Sequence, residues 1–406
     1  MSVTRRRLIG MSLIAAWCVA ASDNISPAFV LQNGPSVAPI PLTPSAGLGQ
    51  GVFAVDGTLG SGYVQQWNVS VQRELTTNTT VEAAYVGSNI THVGIPDTNL
   101  NQLTVEQLAL GATLNQPVPN PYFGLIPRSS SLGNPTIPRG QLLKPFPAYS
   151  TVSLYRNNVG TTRYQGFELS LRQRLARGMT YSIAYTRSKL MDDASSVFDA
   201  SILTGPIANY PVADSFNRAL ERDYSTGDMP HVFVSSLVWD LPAGAGRGRQ
   251  WHGVLGALAS DWTIAAFVTL ESGVPVAITQ TTNNNAPYGF GVQRPDLVGD
   301  PTLPADERTP AHWFNTAAFA AAPIFTLGSA SRNPVRGPSY RDVDLTLMRR
   351  IPVGISRVIE IRAEVFNLLN TTNLGAPNPT QGGSSFGTIT TAFDPRVVQL
   401  ALKFLF

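Results

Sequence analysis

The chain has 406 residues, of which 43% are hydrophobic and only 14% charged, with 35 glycines, 31 prolines and a net charge of +3. A charged fraction well below the roughly 25% of ordinary globular domains argues against a typical cytosolic enzyme, and the small net charge without a Lys/Arg block argues against a nucleic-acid binder. The single cysteine, Cys18, leaves no disulfide framework and no Cys-based metal site in the rest of the chain.

Residues 1–22 read as a secretory signal. Arg5, Arg6 and Arg7 precede an apolar run from Leu8 to Ala16, and small residues end in Val19-Ala20-Ala21. That run is too short for a membrane-spanning helix. A lipoprotein reading through Cys18 is weakened by the bulk of Trp17, and a remnant of upstream coding sequence is the alternative. Residues 23–62 are rich in Pro, Gly and Ser, show no period, and are expected to be irregular.

From residue 63 onward, segments alternate apolar and polar side chains with a period of two. The predicted strands are 63–75, 79–87, 163–175, 179–189, 231–240, 262–271, 340–351, 357–367 and 395–406. Most match the length that a tilted strand needs to cross a bilayer, about 9–11 residues. In 163–175, Phe167, Leu169 and Leu171 oppose Glu168, Ser170, Arg172 and Arg174; in 357–367, Ile359, Ile361, Ala363 and Val365 oppose Glu360, Arg362 and Glu364. The segments 231–240 and 262–271 are more apolar and flank a Gly-rich connection, Ala243 to Arg249.

Tight turns at 76–78, 176–178 and 352–354 alternate with long connections at 88–162, 190–230, 272–339 and 368–394. Transmembrane barrels have short periplasmic turns and long extracellular loops, whereas a β-sandwich has no reason for strict alternation. Residues 63–406 are therefore read as all-β: an antiparallel transmembrane β-barrel, partial, with about nine to ten spanning strands. The β-like runs 149–157 and 274–280 break the up-and-down parity and are assigned to the loops. Single-chain bacterial barrels have even strand numbers, so nine strands are expected to be an incomplete barrel.

Several stretches resemble the barrel region of Oar-like TonB-dependent receptors of the acidobacterial type. They are Tyr63-Val64-Gln65-Gln66-Trp67-Asn68, Glu82-Ala83-Ala84-Tyr85-Val86-Gly87-Ser88, Tyr164-Gln165-Gly166-Phe167-Glu168, Tyr185-Thr186-Arg187-Ser188-Lys189, Arg362-Ala363-Glu364-Val365-Phe366-Asn367, and the ending from Phe386 to Phe406. The resemblance implies an outer-membrane barrel with uptake of a substrate in intact relatives, driven by TonB through a plugged lumen. No counterpart of the plug or of the amino-terminal regulatory-like domain is found in residues 1–62, so the resemblance covers the carboxy-terminal part of a barrel. A truncated or split-gene barrel fragment, paired with a partner chain that supplies plug and missing strands, is the first alternative. A secreted adhesin-like β protein is the second.

Within that reading, Leu400, Leu402, Phe404 and Phe406 resemble the terminal signal read by the barrel assembly machinery. Tyr63, Trp67, Tyr85, Tyr181 and Tyr185, with Trp239 and Trp262, are candidate membrane-interface aromatics, the alternative being ordinary sheet packing. Arg172, Arg174, Glu360, Arg362 and Glu364 are expected to face the lumen as mutually paired wall charges. The loop carboxylates Asp192, Asp193, Asp223 and Asp228 lack calcium-loop spacing and are expected to be solvated. His92, His231, His252 and His312 are scattered, and no catalytic motif, metal ligand set or cofactor fingerprint is present. The expected surroundings are the lipid bilayer of the outer membrane, with no nucleic acid.

Overall fold

The computed structural model describes residues 47–57, 60–95, 97–155, 157–176, 178–193, 212–242, 260–354 and 357–406. The signal-like residues 1–22 with Cys18, the first part of the 23–62 segment, the Gly-rich connection 243–249 and His252 lie outside them.

The alternating segments form nine long strands: β1 (Tyr63–Thr76), β2 (Thr79–Val93), β3 (Gly160–Ala176), β4 (Met179–Asp192), β5 (His231–Asp240), β6 (Trp262–Glu271), β7 (Tyr340–Val353), β8 (Arg357–Phe366) and β9 (Val397–Leu405). Each pairs antiparallel with the next in chain order, giving one continuous meander. Among the described residues, only a two-residue strand, Asp223–Tyr224, pairs beside β4 off that path. Among the described residues β1 and β9 are each paired on one side, so the sheet remains open.

Register puts the period-two pattern to work. One row across six strands reads Tyr181, Leu237, Ala266, Leu345, Val365 and Val398. A row on the opposite face reads Gln72, Glu82, Ser170, Ala184, Val234, Thr269 and Asp342. A slip of one residue would exchange the faces of a whole strand, so the pattern fixes the register. β5 and β6 carry apolar residues on the polar side as well, among them Val232, Val234, Val238 and Phe267.

The distribution of burial is inverted relative to a soluble domain. Of the buried hydrophobic side chains among the described residues, only Val93 belongs to a long strand, and it sits at the strand end. Meanwhile Val69, Val71, Leu400 and Leu402 are at least two-thirds exposed. An apolar face this extensive needs a non-aqueous neighbour, and among the described residues no helix is long and apolar enough to cross a membrane. The strands do the crossing.

At one end of the sheet the chain reverses tightly. Gly178 between β3 and β4, and Gly354 between β7 and β8, hold φ of 77° and 79°, a left-handed conformation that glycine adopts without a Cβ penalty. At the other end the strands run on further than the alternation predicts: β2 continues to Val93 and β3 begins at Gly160. A bulge at His92, φ 58°, shifts the register there between Thr91 and Val93. β3, at 17 residues, exceeds the roughly 10 residues that a tilted strand needs to cross, so its upper part stands outside the bilayer.

Above that end the long connections form a cap. Gly51–Ala54, expected to be irregular, instead pairs in parallel with Thr151–Leu154, whose other edge takes Thr98–Asn99. The 149–157 run thus belongs to the cap. The 274–280 run does too, as Pro275–Val276 against Val335–Arg336 and Thr279–Gln280 against Thr380–Gln381.

Candidate functional site

The cap holds two apolar clusters of its own. Leu103, Leu108 and Leu114 from the first connection pack with Tyr288 and Phe290 from the third. Phe314 and Phe319 from the third pack edge-on against Phe386 from the fourth, beside Val276, Ile278 and Val335. Long connections without periodicity are thereby given a folded core.

Buried polar side chains tie the connections together. Asn101, fully buried, donates Nδ2 to the carbonyls of Phe146 and Tyr149 at 3.0 and 2.9 Å. Gln102 donates to Asp214 at 2.6 Å and accepts from the Ser215 amide at 3.0 Å, joining the first connection to the second. Tyr288 donates its hydroxyl to Asn115 at 2.7 Å, and burial pushes that phenol above its ordinary pKa.

The loop carboxylates correct the sequence reading. Asp228 is fully buried, not solvated, and takes Arg336 at 2.5 Å. Asp192, also buried, takes Arg332 at 2.5 Å, and Asp193 takes Arg218 at 3.3 Å. Asp223 accepts from the Asn333 amide at 2.8 Å. Glu221, buried, accepts from Arg294 at 2.6 Å and from the Ala213 amide at 2.8 Å. Desolvated acids of this kind persist only when paired and hydrogen-bonded. Arg294, Arg332 and Arg336 come from the third connection, so their pairs clamp it onto β4 and the second connection, while Arg218 and Asp193 pair within the second connection. Among the described residues no group of three or more His, Cys, Asp or Glu side chains is arranged to hold a metal ion.

Where three connections meet, a cavity of about 210 Å³ opens, lined by Lys144, Ser150, Ser153, Ser215 and Phe290, among others. Lys144 is 8% exposed, and burial holds its ammonium down at about 8. Sequence reasoning did not find this residue: a lysine in an aperiodic loop carries no signal until the chain folds around it.

The strand residues singled out from the sequence divide between the faces of the sheet. Trp67, Tyr85, Tyr181, Tyr185 and Trp239 share the apolar face. Tyr181 and Trp239 lie near the tight-turn end, while Trp67 and Tyr63 lie toward the cap. Tyr185 stacks on His231, with its hydroxyl 2.7 Å from Nδ1. Leu400, Leu402 and Phe404 lie on the apolar face of edge strand β9, and Phe406 follows it, 94% exposed. On the polar face Glu360 accepts from Arg350 at 3.0 Å and from Arg362 at 2.8 Å, and Arg362 reaches Glu364 at 3.4 Å. Arg172 faces Ser182 and Thr80 on that side; Arg174 stands at the irregular stretch before the β3–β4 turn, its amide bonded to the Asn78 carbonyl.

The sequence matches the family described as outer membrane beta barrel domain over residues 14–399. No curated protein matches the chain. Among solved structures, it is similar to the outer membrane transporter YddB from Escherichia coli at 12% identity and a TM-score of 0.42, over 88% of this chain and 34% of that one. It is similar to the FrpB iron transporter from Neisseria meningitidis at 10% identity and a TM-score of 0.38, over 87% and 33%. It is also similar to the pyoverdine outer membrane receptor FpvA from Pseudomonas aeruginosa at 11% identity and a TM-score of 0.36, over 86% and 30%. The chain spans about a third of the length of each.

Proposed function

We propose, from the premise that the chain belongs to the outer membrane beta barrel domain family, that it is barrel wall and outer cap of an Oar-like TonB-dependent receptor that takes up a solute across the outer membrane. The chain is an outer-membrane protein with an antiparallel β-barrel wall. The observation that carries the receptor reading is the cap, whose long connections are packed around buried cores and arginine–carboxylate clamps. A rigid surface over the strand ends is suited to catching a solute before it enters the lumen.

In this reading the apolar face meets lipid and the polar face lines the lumen, where the Arg350, Glu360, Arg362 and Glu364 ladder satisfies charges at the wall. Trp67, Tyr85, Tyr181 and Tyr185 settle at the membrane interfaces, and the terminal Leu400, Leu402, Phe404 and Phe406 present the chain to the barrel assembly machinery.

A second reading follows from the open edges. Unpaired backbone groups facing lipid cost several kcal/mol each, and among the described residues both β1 and β9 have such an edge. In this second reading a partner chain or a second copy supplies pairing for those edges.

Expression in a Gram-negative host, followed by envelope fractionation and electrophoresis with and without boiling, tests the proposal. A detergent-requiring outer-membrane band whose mobility shifts on heating is expected, alone or with a co-purifying chain. Solute uptake that is lost when the energising complex is deleted completes the test. Recovery as soluble secreted protein would exclude the receptor reading in favour of an adhesin-like one.

A further inference from the structure

We propose that the cavity around Lys144 is a binding site for a small hydroxylated monocarboxylate. It names the solute class for the receptor reading above, and rests on that reading for the cap's access to the outside.

Lys144 follows a short helix, Arg139–Leu142, and is more than nine-tenths buried, yet it lines an open cavity. No carboxylate among the described residues forms an ion pair with it. The other buried cations behave differently: Arg294 and Arg332 each have a carboxylate within 2.6 Å. Burying an ammonium without a counter-charge is costly and is retained where a ligand supplies the missing charge. The depressed pKa agrees, since burial is its only cause.

The rest of the wall defines the ligand. The hydroxyls of Ser150, Ser153 and Ser215 line the cavity and make no hydrogen bond among the described residues. They suit a polar, hydroxyl-bearing body. Phe290, 2% exposed, closes one side with an apolar surface. At about 210 Å³ the cavity has room for roughly seven water-sized groups. Asp97 also lines it. A single ammonium matches one negative charge, which favours a monoanionic carboxylate over a dianionic phosphate.

The test uses purified, detergent-solubilised full-length protein with glycerate as the probe, and with glycerol and inorganic phosphate as comparators, read by calorimetry. Glycerate is expected to bind saturably, at least tenfold more tightly than either comparator. The Lys144→Met variant, with its heat-shifted band intact, is expected to weaken glycerate about tenfold or more, the worth of one charged hydrogen bond. If Lys144→Met does not fold, Ser153→Ala/Ser215→Ala carries the same test with a smaller expected loss. Equal binding by wild type and variant, or phosphate binding better than glycerate, would overturn the proposal. Glycerate binding by a chain that fails the envelope assay would keep this site and overturn the receptor reading; a heat-shifting barrel that ignores glycerate would do the reverse.

Discussion

Trp67 lies across Gly87, the residue directly opposite it in the β1–β2 pair, with its indole where a side chain at 87 would stand. A glycine in a strand interior is weak on its own, and the covering ring restores the packing that the missing side chain would have given. Gly87→Val should force the indole off the sheet and destabilise the wall by about 1–3 kcal/mol. Trp67→Ala combined with Gly87→Val should recover part of that loss. Loss of the heat-shifted band with increasing urea measures both; equal midpoints for Gly87→Val and wild type would refute the packing account.

The two faces of the wall make opposite predictions for the same charge. Leu347 lies on the apolar face between Ile264 and Ala363, while its neighbour Thr346 lies on the polar face opposite Glu364. Leu347→Arg should cost about 2–4 kcal/mol, as a cation on the lipid side near mid-bilayer does. Thr346→Arg gains an acidic neighbour and should be close to neutral. Folding yields in lipid vesicles check the contrast, and the reverse order would mean that the faces are exchanged.

Deleting Phe406, nearly fully exposed beyond β9, removes little packing, a ring contact with Phe404 at 6.0 Å. It should leave folding in detergent unchanged while lowering the outer-membrane fraction in cells severalfold. An unchanged fraction would remove the assembly-signal role.

The wall was legible in the sequence because a one-sided sheet repeats every two residues, and nothing distant is needed to see it. β5 through β8 begin or end where the alternation does. The alternation of β2 ends at residue 87, where Gly87, Ser88 and Asn89 interrupt the apolar series; Trp67, on the neighbouring strand, covers the gap as the strand continues. The cap was not legible. Arg336 meets Asp228 from 108 residues away, and Arg332 meets Asp192 from 140. In a segment without period, an aspartate that will be clamped and one that will be solvated look the same.

Lys144 makes the cap's stability depend on alkaline pH. Its folded value of about 8 lies below the ordinary 10.5. Between those values the unfolded chain carries a proton that the folded chain has released, so stability rises as pH climbs through that window, by on the order of 2–3 kcal/mol. Below about pH 8 both states are protonated and the penalty is constant. Cap unfolding, followed by protease cleavage at pH 7, 9 and 10.5, should slow with pH in wild type. Lys144→Met should lack that component; an identical pH dependence would assign it elsewhere.

The clamp between Arg336 and Asp228 yields the sharpest stability test. Arg336 is a third exposed and also stacks on Tyr224 at 4.9 Å, whereas Asp228 is sealed from solvent and further accepts from the Leu190 amide at 2.6 Å. Arg336→Ala strands a buried carboxylate and should destabilise the cap by about 3–5 kcal/mol, because the lost partner leaves the desolvation cost uncompensated. Asp228→Asn in that background removes the stranded charge and keeps the acceptor for Leu190, so it should recover a large share. The wall should be largely unaffected in both, since the clamp touches it only at the cap end of β4, through the Leu190 amide. Protease mapping of residues 212–230 and 272–339, beside the heat-shifted band as a wall control, separates the outcomes. Additive losses in the double variant would show that the two side chains contribute independently and that the clamp is not a unit.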